Sequence, residues 1–279
     1  MDTVSKLRSL FDVTLLCFSV WKHKSLCYQL VTRNISSKYK GAFLGVLWSA
    51  IQPLMMLCVY TFVFSFVFKA RGWGHMELTQ TGAYPIIMFC GIAAYNLFSE
   101  GVNSSCNLIV SNPNFVKKVI FPLEILVVSQ VAAVFAVGFL WFLLVLIGVI
   151  AVFHHISCTV LLLPVILLPL LFMTLGLSFL VSSLQVFLRD TRYVVAVLLQ
   201  MLFYMTPIFY SLDLLPGKWQ NVLRLNPLVP VVDSVRDVVV FGKFPAWGAW
   251  GISCLTAVIV LQLGLFWFRR TQRGFSDVL

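Results

Sequence analysis

Charge is what this sequence has least of. Asp, Glu, Lys and Arg make up 11% of its 279 residues and hydrophobic residues 60%, against about 25% and 45–50% in soluble domains. A chain so poor in charge reads as a polytopic membrane protein rather than a soluble domain. Acidic residues are scarcer still, ten against twenty Lys and Arg, for a formal charge of +10. The basic residues fall between apolar runs and at the chain ends. That pattern sets topology and touches membrane lipid headgroups, and it implies no nucleic-acid partner.

A nucleotide-binding loop is also missing. Gly217-Lys218 and Gly242-Lys243 are the Gly-Lys pairs; neither is followed by Ser or Thr, and Leu212 and Asp237 stand where the first glycine belongs. If ATP drives this protein, another polypeptide binds it. The seven cysteines lie mostly inside apolar runs without a C-x-x-C, which reads as small buried hydrophobes. His23, His75, His154 and His155 have no metal-ligand spacing. Asp213, Asp233 and Asp237 are a conceivable carboxylate site, although pairing of Asp233 with Arg236 on one helix accounts for them more simply. No catalytic, cofactor or metal residue is assigned to this chain. Lys6 and Arg8 precede a modest apolar stretch, but Asp12 interrupts it and no A-x-A site follows, so signal-peptide cleavage is not expected.

What is present is apolar length. Six spans are predicted, about 42–68, 82–110, 125–153, 159–187, 194–210 and 249–268, giving an all-α membrane domain over 1–279. Before them, residues 1–40 hold a helix with Leu26, Cys27, Leu30, Val31 and Ile35 on one side and Lys24, Gln29, Arg33 and Ser36 on the other, an amphipathic helix for the interface. Gly41 and Gly45 have G-x-x-x-G spacing. The tail of the first span, 62–68, alternates with period two, yet lipid favours helix over strand there. Pro164 and Pro169 predict a kink in the fourth span. A short basic helix, with Asn112 as cap and Pro113 as first residue, occupies about 112–121, too short to span. Residues 211–248 read as an interfacial or re-entrant helical hairpin whose helix presents Val231, Val232, Val235, Val238 and Val239 on one face. The segments on one side of six spans carry 14 Lys and Arg and those on the other 6. Both termini, including the tail 269–279, are therefore cytoplasmic and 211–248 faces outward.

Polar residues inside the spans are the functional candidates. Asn96, Glu100, Asn103 and Asn107 share one face of the second span. Glu100 either lines a polar conduit or caps a structural network with Asn96 or Asn103. Trp48, Tyr60, Tyr204 and Tyr210 carry polar handles suited to a sugar path, and Phe64 shares the face of Tyr60.

The run Lys38-Tyr39-Lys40-Gly41-Ala42, then Leu44-Gly45, Leu47-Trp48, Pro53-Leu54 and Tyr60-Thr61-Phe62-Val63-Phe64, resembles the first span of membrane subunits of ABC-2 type polysaccharide exporters. Val116 to Glu124 is similar to that family's second signature. A third block, Arg189-Asp190, Arg192-Tyr193, Thr206-Pro207-Ile208 and Asn226-Pro227-Leu228, agrees in order. One departure is Ile125-Leu126-Val127, where the family often has proline. The resemblance implies a permease of the bacterial inner membrane, a homodimer with two copies of a separate ATPase that holds ATP and Mg. The cargo would be a polyprenyl-diphosphate-linked polysaccharide of O-antigen type; capsular polysaccharide and teichoic acid are the family's other cargoes. The coupling helix falls on 112–121, with Asn112, Pro113, Phe115, Lys117 and Lys118 as ATPase-facing residues. The interface helix falls on about 22–38, and Arg33, Lys38, Tyr39 and Lys40 stand at the entrance to meet the diphosphate. Holding the N-terminus inside is an equal role for these cations. The first and fifth spans would line the path. A membrane glycan-modifying enzyme and an ion-coupled small-molecule carrier remain alternatives.

Overall fold

The computed structural model describes residues 13–68, 72–73, 76–77, 82–116 and 121–279; Lys6, Arg8, Lys117 and Lys118 lie outside them. Apart from a two-residue antiparallel ladder, Gly72–Trp73 on Met76–Glu77, the regular elements are helices. In order these are α1 (Val13–Lys22), α2 (Lys24–Lys38), α3 (Trp48–Thr61), α4 (Ala83–Cys106), α5 (Pro113–Val116), α6 (Leu123–Phe153), α7 (Leu163–Ile166), α8 (Leu168–Phe187), α9 (Thr191–Met205), α10 (Gly217–Arg224), α11 (Val229–Arg236), α12 (Trp247–Thr271) and α13 (Phe275–Val278).

Among the described residues, five helical stretches are long and apolar enough to cross a membrane: Trp48–Val67, Ala83–Cys106, Leu123–Phe153, Cys158–Phe187 and Trp247–Val278. The predicted fifth of six spans is instead the 15-residue α9. That is about 22 Å of helix at ~1.5 Å per residue, against a hydrocarbon core of about 30 Å. Its end is set by Pro207. The residue before a proline is driven out of the helical region, and Thr206 has φ −91° and ψ 131°.

Local chemistry moves other boundaries. Gly41 and Gly45 take φ of +86° and +51°, left-handed values that glycine adopts at little cost. They form turns ahead of the first span, so α3 begins at Trp48 rather than at 42, and the pair is not a helix-packing G-x-x-x-G. The alternating stretch after Thr61 is a wider-wound turn, Phe62–Val67, with π-type spacing. The fourth span breaks at Leu167, between α7 and α8, each with proline in its first turn.

Helix α4 is the centre of the fold. Most of it is buried, and it packs against α6, α8 and α11. The valines of α11 explain the last contact, since Val231, Val232 and Val235 are fully covered, as are Val238 and Val239 in the turn that follows. Gly242, at φ +62°, then ends the helix. Helices α8 and α12 share the most extensive helix–helix contact. Gly176 and Gly264 meet there, and a Cβ on Gly264 would overlap the Gly176 carbonyl. Small residues of this kind allow the close backbone approach on which helix association in lipid depends. A second apolar cluster gathers α2, α6, α8, α12 and the C-terminus around Leu30, Leu126, Phe179, Phe268 and Phe275. The apolar side of α2 therefore packs on protein, through Leu26, Cys27 and Leu30. By contrast, α3 and α9 are thinly packed: Met55, Met56 and Val59 of one, and Val197, Leu198, Met201 and Tyr204 of the other, are exposed.

Candidate functional site

The polar face of α4 forms one wall of a cavity of about 550 Å³. The other walls come from the C-terminal half of α2, from α3 and from α6, with Phe203 of α9 at its margin. Lys38 and Glu100 meet in it. Lys38 Nζ donates to Glu100 Oε1 at 2.8 Å, joining residues 62 apart in sequence, with side chains 49% and 45% exposed. Glu100 thus has a partner that neither sequence reading of it named. A carboxylate on a spanning helix is costly unless paired, and Lys38 supplies that pairing from the chain just before the first span.

Asn34 lies four residues before Lys38 on α2 and lines the same cavity. Its Nδ2 is shielded from solvent and finds no acceptor among the described residues. Gln52 of α3 and Asn96, Ser99 and Ser104 of α4 add further polar groups. A second cavity of about 350 Å³ lies between α4 and α9, where Asn96, Ser99, Asn103 and Gln200 are among its walls. Asn34, Gln52 and Gln200 were not singled out in the sequence. Asn34 alone had a usable signal, its i, i+4 spacing to Lys38.

The four predicted entrance residues divide. Lys38 and Tyr39 line the cavity, while Lys40 is exposed in the turn after α2. Arg33 points elsewhere: its Nη2 donates to Asn112 Oδ1 at 3.4 Å, and its guanidinium lies 5.4 Å from the Phe115 ring centroid. Arg33 therefore touches the predicted coupling segment. That segment is described as the single turn α5, and Phe115 packs against Phe121 with centroids 4.6 Å apart. The Asn112 amide also reaches backward, Nδ2 donating to the Leu108 carbonyl at 2.9 Å.

The predicted path residues stand in different surroundings. Tyr60 lines the cavity and meets Phe209 edge-on at 6.4 Å. Phe64 is packed among Phe209, Tyr84 and Phe68. Trp48 and Tyr204 are exposed, and the Tyr210 hydroxyl donates to the Tyr204 carbonyl at 3.3 Å. Two phenols hold α9 and the segment after it to α4: Tyr95 donates to the Leu199 carbonyl and Tyr84 to that of Phe209.

At the other end of α4 lies a third cavity, of about 620 Å³, lined by Asp213, Asp233, Asp237 and Lys243 among others. Arg236 closes its floor. The side chain is 2% exposed; Nη1 donates to Asp233 Oδ1 at 3.0 Å, Nε to the Ile87 carbonyl at 3.3 Å and Nη2 to the Ile208 carbonyl at 2.9 Å. Trp73 covers it, 4.5 Å from ring centroid to guanidinium carbon. Asp233 is thus paired with Arg236 on one helix, as their spacing predicts. Burial, reinforced by Asp233, pushes the Asp237 carboxyl up to about 6. Among the described residues, no group of three or more His, Cys, Asp or Glu is placed to hold a metal.

A multi-span helical domain with a polar, ion-paired cavity between its spans defines the class: a membrane transport domain. The particular family follows from comparison. Residues 25–240 match the ABC-2 type transporter family, and the chain belongs to it. Two relatives are O-antigen export system permease proteins. The one from Klebsiella pneumoniae is 27% identical over 252 residues, covering 90% of this chain and 93% of that protein. The one from Myxococcus xanthus is 28% identical over 246 residues, covering 88% and 90%. The chain is also similar to a polysialic acid transport protein of Escherichia coli, 24% identical over 248 residues and covering 88% and 93%. Membership of this family makes the chain a transporter's membrane subunit and not an enzyme.

Proposed function

We propose that the chain is the membrane-spanning subunit of an ATP-driven exporter that moves a polyprenyl-diphosphate-linked polysaccharide of O-antigen type across the inner membrane. The observation that carries this reading is similarity to O-antigen export permeases along nine-tenths of the chain, in a fold with a polar cavity between its spans. Two copies of the chain would work with two copies of a separate ATPase holding ATP and Mg. The thinly packed faces of α3 and α9 support a dimer whose two copies enclose the path between those helices.

In this reading α9 completes a sixth crossing together with the irregular 206–210, and both termini face the cytoplasm. Helices α1 and α2 sit at the cytoplasmic interface, and α10 and α11 form the outward re-entrant hairpin. The ATPase pushes on Asn112, Pro113 and Phe115, with Lys117 and Lys118 continuing that segment in sequence. Arg33 passes the movement to α2, and Lys38, Tyr39 and Lys40 receive the diphosphate, for which cationic donors are the fitting chemistry. Capsular polysaccharide is the second reading, favoured by the similarity to a polysialic acid transport protein.

The test is complementation. A strain lacking its own O-antigen export permease, given this chain and its ATPase, regains surface O-antigen under the first reading. Restoration of a capsule exporter mutant instead favours the second. Failure in both hosts with the protein present in the membrane overturns the assignment.

A further inference from the structure

We propose that Glu100 is a substrate-displaceable counter-ion: it holds Lys38 across the cavity until the diphosphate of the lipid-linked cargo takes its place. The inference rests on the reading of this cavity as the cargo's entrance and adds how the entrance is kept shut. Lys38 and Glu100 lie on different elements, α2 and α4, and the bond at 2.8 Å spans the space between them. Both side chains remain about half exposed, so a ligand in the cavity can reach them. Exposed ion pairs of this kind are weak enough to exchange partners.

The cavity offers an anion more than Glu100 can use. One carboxylate oxygen accepts from Lys38, while the shielded Asn34 Nδ2, one turn earlier on α2, is left without an acceptor among the described residues. A diphosphate carries more charge than a carboxylate and presents more acceptor oxygens, so it can hold Lys38 and also accept from Asn34 Nδ2 once that amide, shielded in the unliganded chain, turns into the cavity. Glu100, once released, remains in a cavity whose walls include the polar side chains of Gln52 and Ser104. Neutral polyprenol has nothing to exchange with Glu100 and leaves the pair closed. The exchange happens on α2, whose Arg33 rests on Asn112 and Phe115. Occupancy of the cavity therefore bears on the helix that touches the coupling segment.

The experiment uses the permease–ATPase complex in phosphatidylcholine nanodiscs, with polyprenyl diphosphate as probe and polyprenol as control. Zero-length carbodiimide cross-linking of Lys38 to Glu100, read by mass spectrometry, follows the pair in the unaltered protein. The cross-link forms without ligand, falls several-fold with the diphosphate and is unchanged by polyprenol. Dissociation constants are measured in parallel. Lys38→Gln weakens diphosphate binding about tenfold, and Glu100→Gln, by removing the competitor, tightens it about threefold, the scale of an exchanged exposed ion pair. If Lys38→Gln leaves the constant unchanged, the entrance reading fails and the exchange with it. If Lys38→Gln weakens binding while the cross-link ignores the diphosphate and Glu100→Gln does not tighten it, the entrance stands and the counter-ion role is overturned.

Discussion

Arg236 is buried beneath Trp73, and that contact fastens the N-terminal end of α4. The guanidinium lies 4.5 Å from the ring centroid while its N–H groups reach Asp233 and the carbonyls of Ile87 and Ile208. One side chain thus ties together α4, α11, the short ladder and the segment after α9. A buried cation is tolerated only while its partners remain, and leaving one of its charge-assisted bonds unmade costs about 1–3 kcal/mol. Asp233 is 44% exposed and Arg236 keeps its two carbonyl partners, so Asp233→Ala is expected to cost about 2 kcal/mol and to lower the Tm in detergent. Arg236→Lys also destabilises, because an ammonium cannot reproduce the planar, stacked fork.

The glycines of α8 and α12 give a sharper contrast. Gly264 sits against the Gly176 backbone, whereas Gly248 and Gly251 on the same helix have nothing within 4 Å of an added Cβ. Gly264→Ala is expected to cost about 1–3 kcal/mol through overpacking. Gly248→Ala and Gly251→Ala should be neutral or slightly stabilising, since alanine favours helix over glycine by about 1 kcal/mol. Thermal melts of the three variants in one detergent check this.

Asp237 sets a pH dependence. Its carboxyl is pushed up to about 6 by burial and by Asp233, from an ordinary value of 3.8. Between those two values the folded chain holds a proton that the unfolded chain has lost, so stability falls as pH rises from about 4 to 6 and then levels off. Asp237→Asn should flatten that slope and raise Tm at neutral pH relative to the unaltered chain. Melting curves between pH 4 and 7.5 measure both effects.

Helix α9 depends on its phenol bond to α4 more than a well-packed helix would. Its outer side is exposed, and Tyr95 donates to the Leu199 carbonyl from the buried face of α4. Tyr95→Phe removes one hydrogen bond with little change of shape, a loss of about 1 kcal/mol. Hydrogen exchange should quicken in 191–205 and stay unchanged in α8 and α12. Uniform quickening would contradict this local role.

Much of the architecture is legible in the residues themselves. The charge-poor runs mark the long helices, the valine spacing marks the buried face of α11, and Asn96, Glu100 and Asn103 mark the side of α4 that turns to the cavities. Short-range backbone preference undid other expectations. Gly41 and Gly45 have helix-packing spacing yet adopt left-handed turns, and Pro207 cuts the predicted fifth span short by fixing Thr206 in an extended conformation. Pairings across long separations could not be read at all. Nothing local links Lys38 to Glu100 or Arg33 to Asn112, because each contact exists only once α2 has docked on α6.

The most direct test of the central claim is transport in sealed vesicles containing this chain and its ATPase, with a lipid-linked polysaccharide on the ATP side. The account predicts that ATP carries the glycan to the opposite side, and that omitting the ATPase or substituting a non-hydrolysable nucleotide abolishes movement. Movement driven by an ion gradient without the ATPase, or chemical alteration of the glycan by this chain alone, would contradict it.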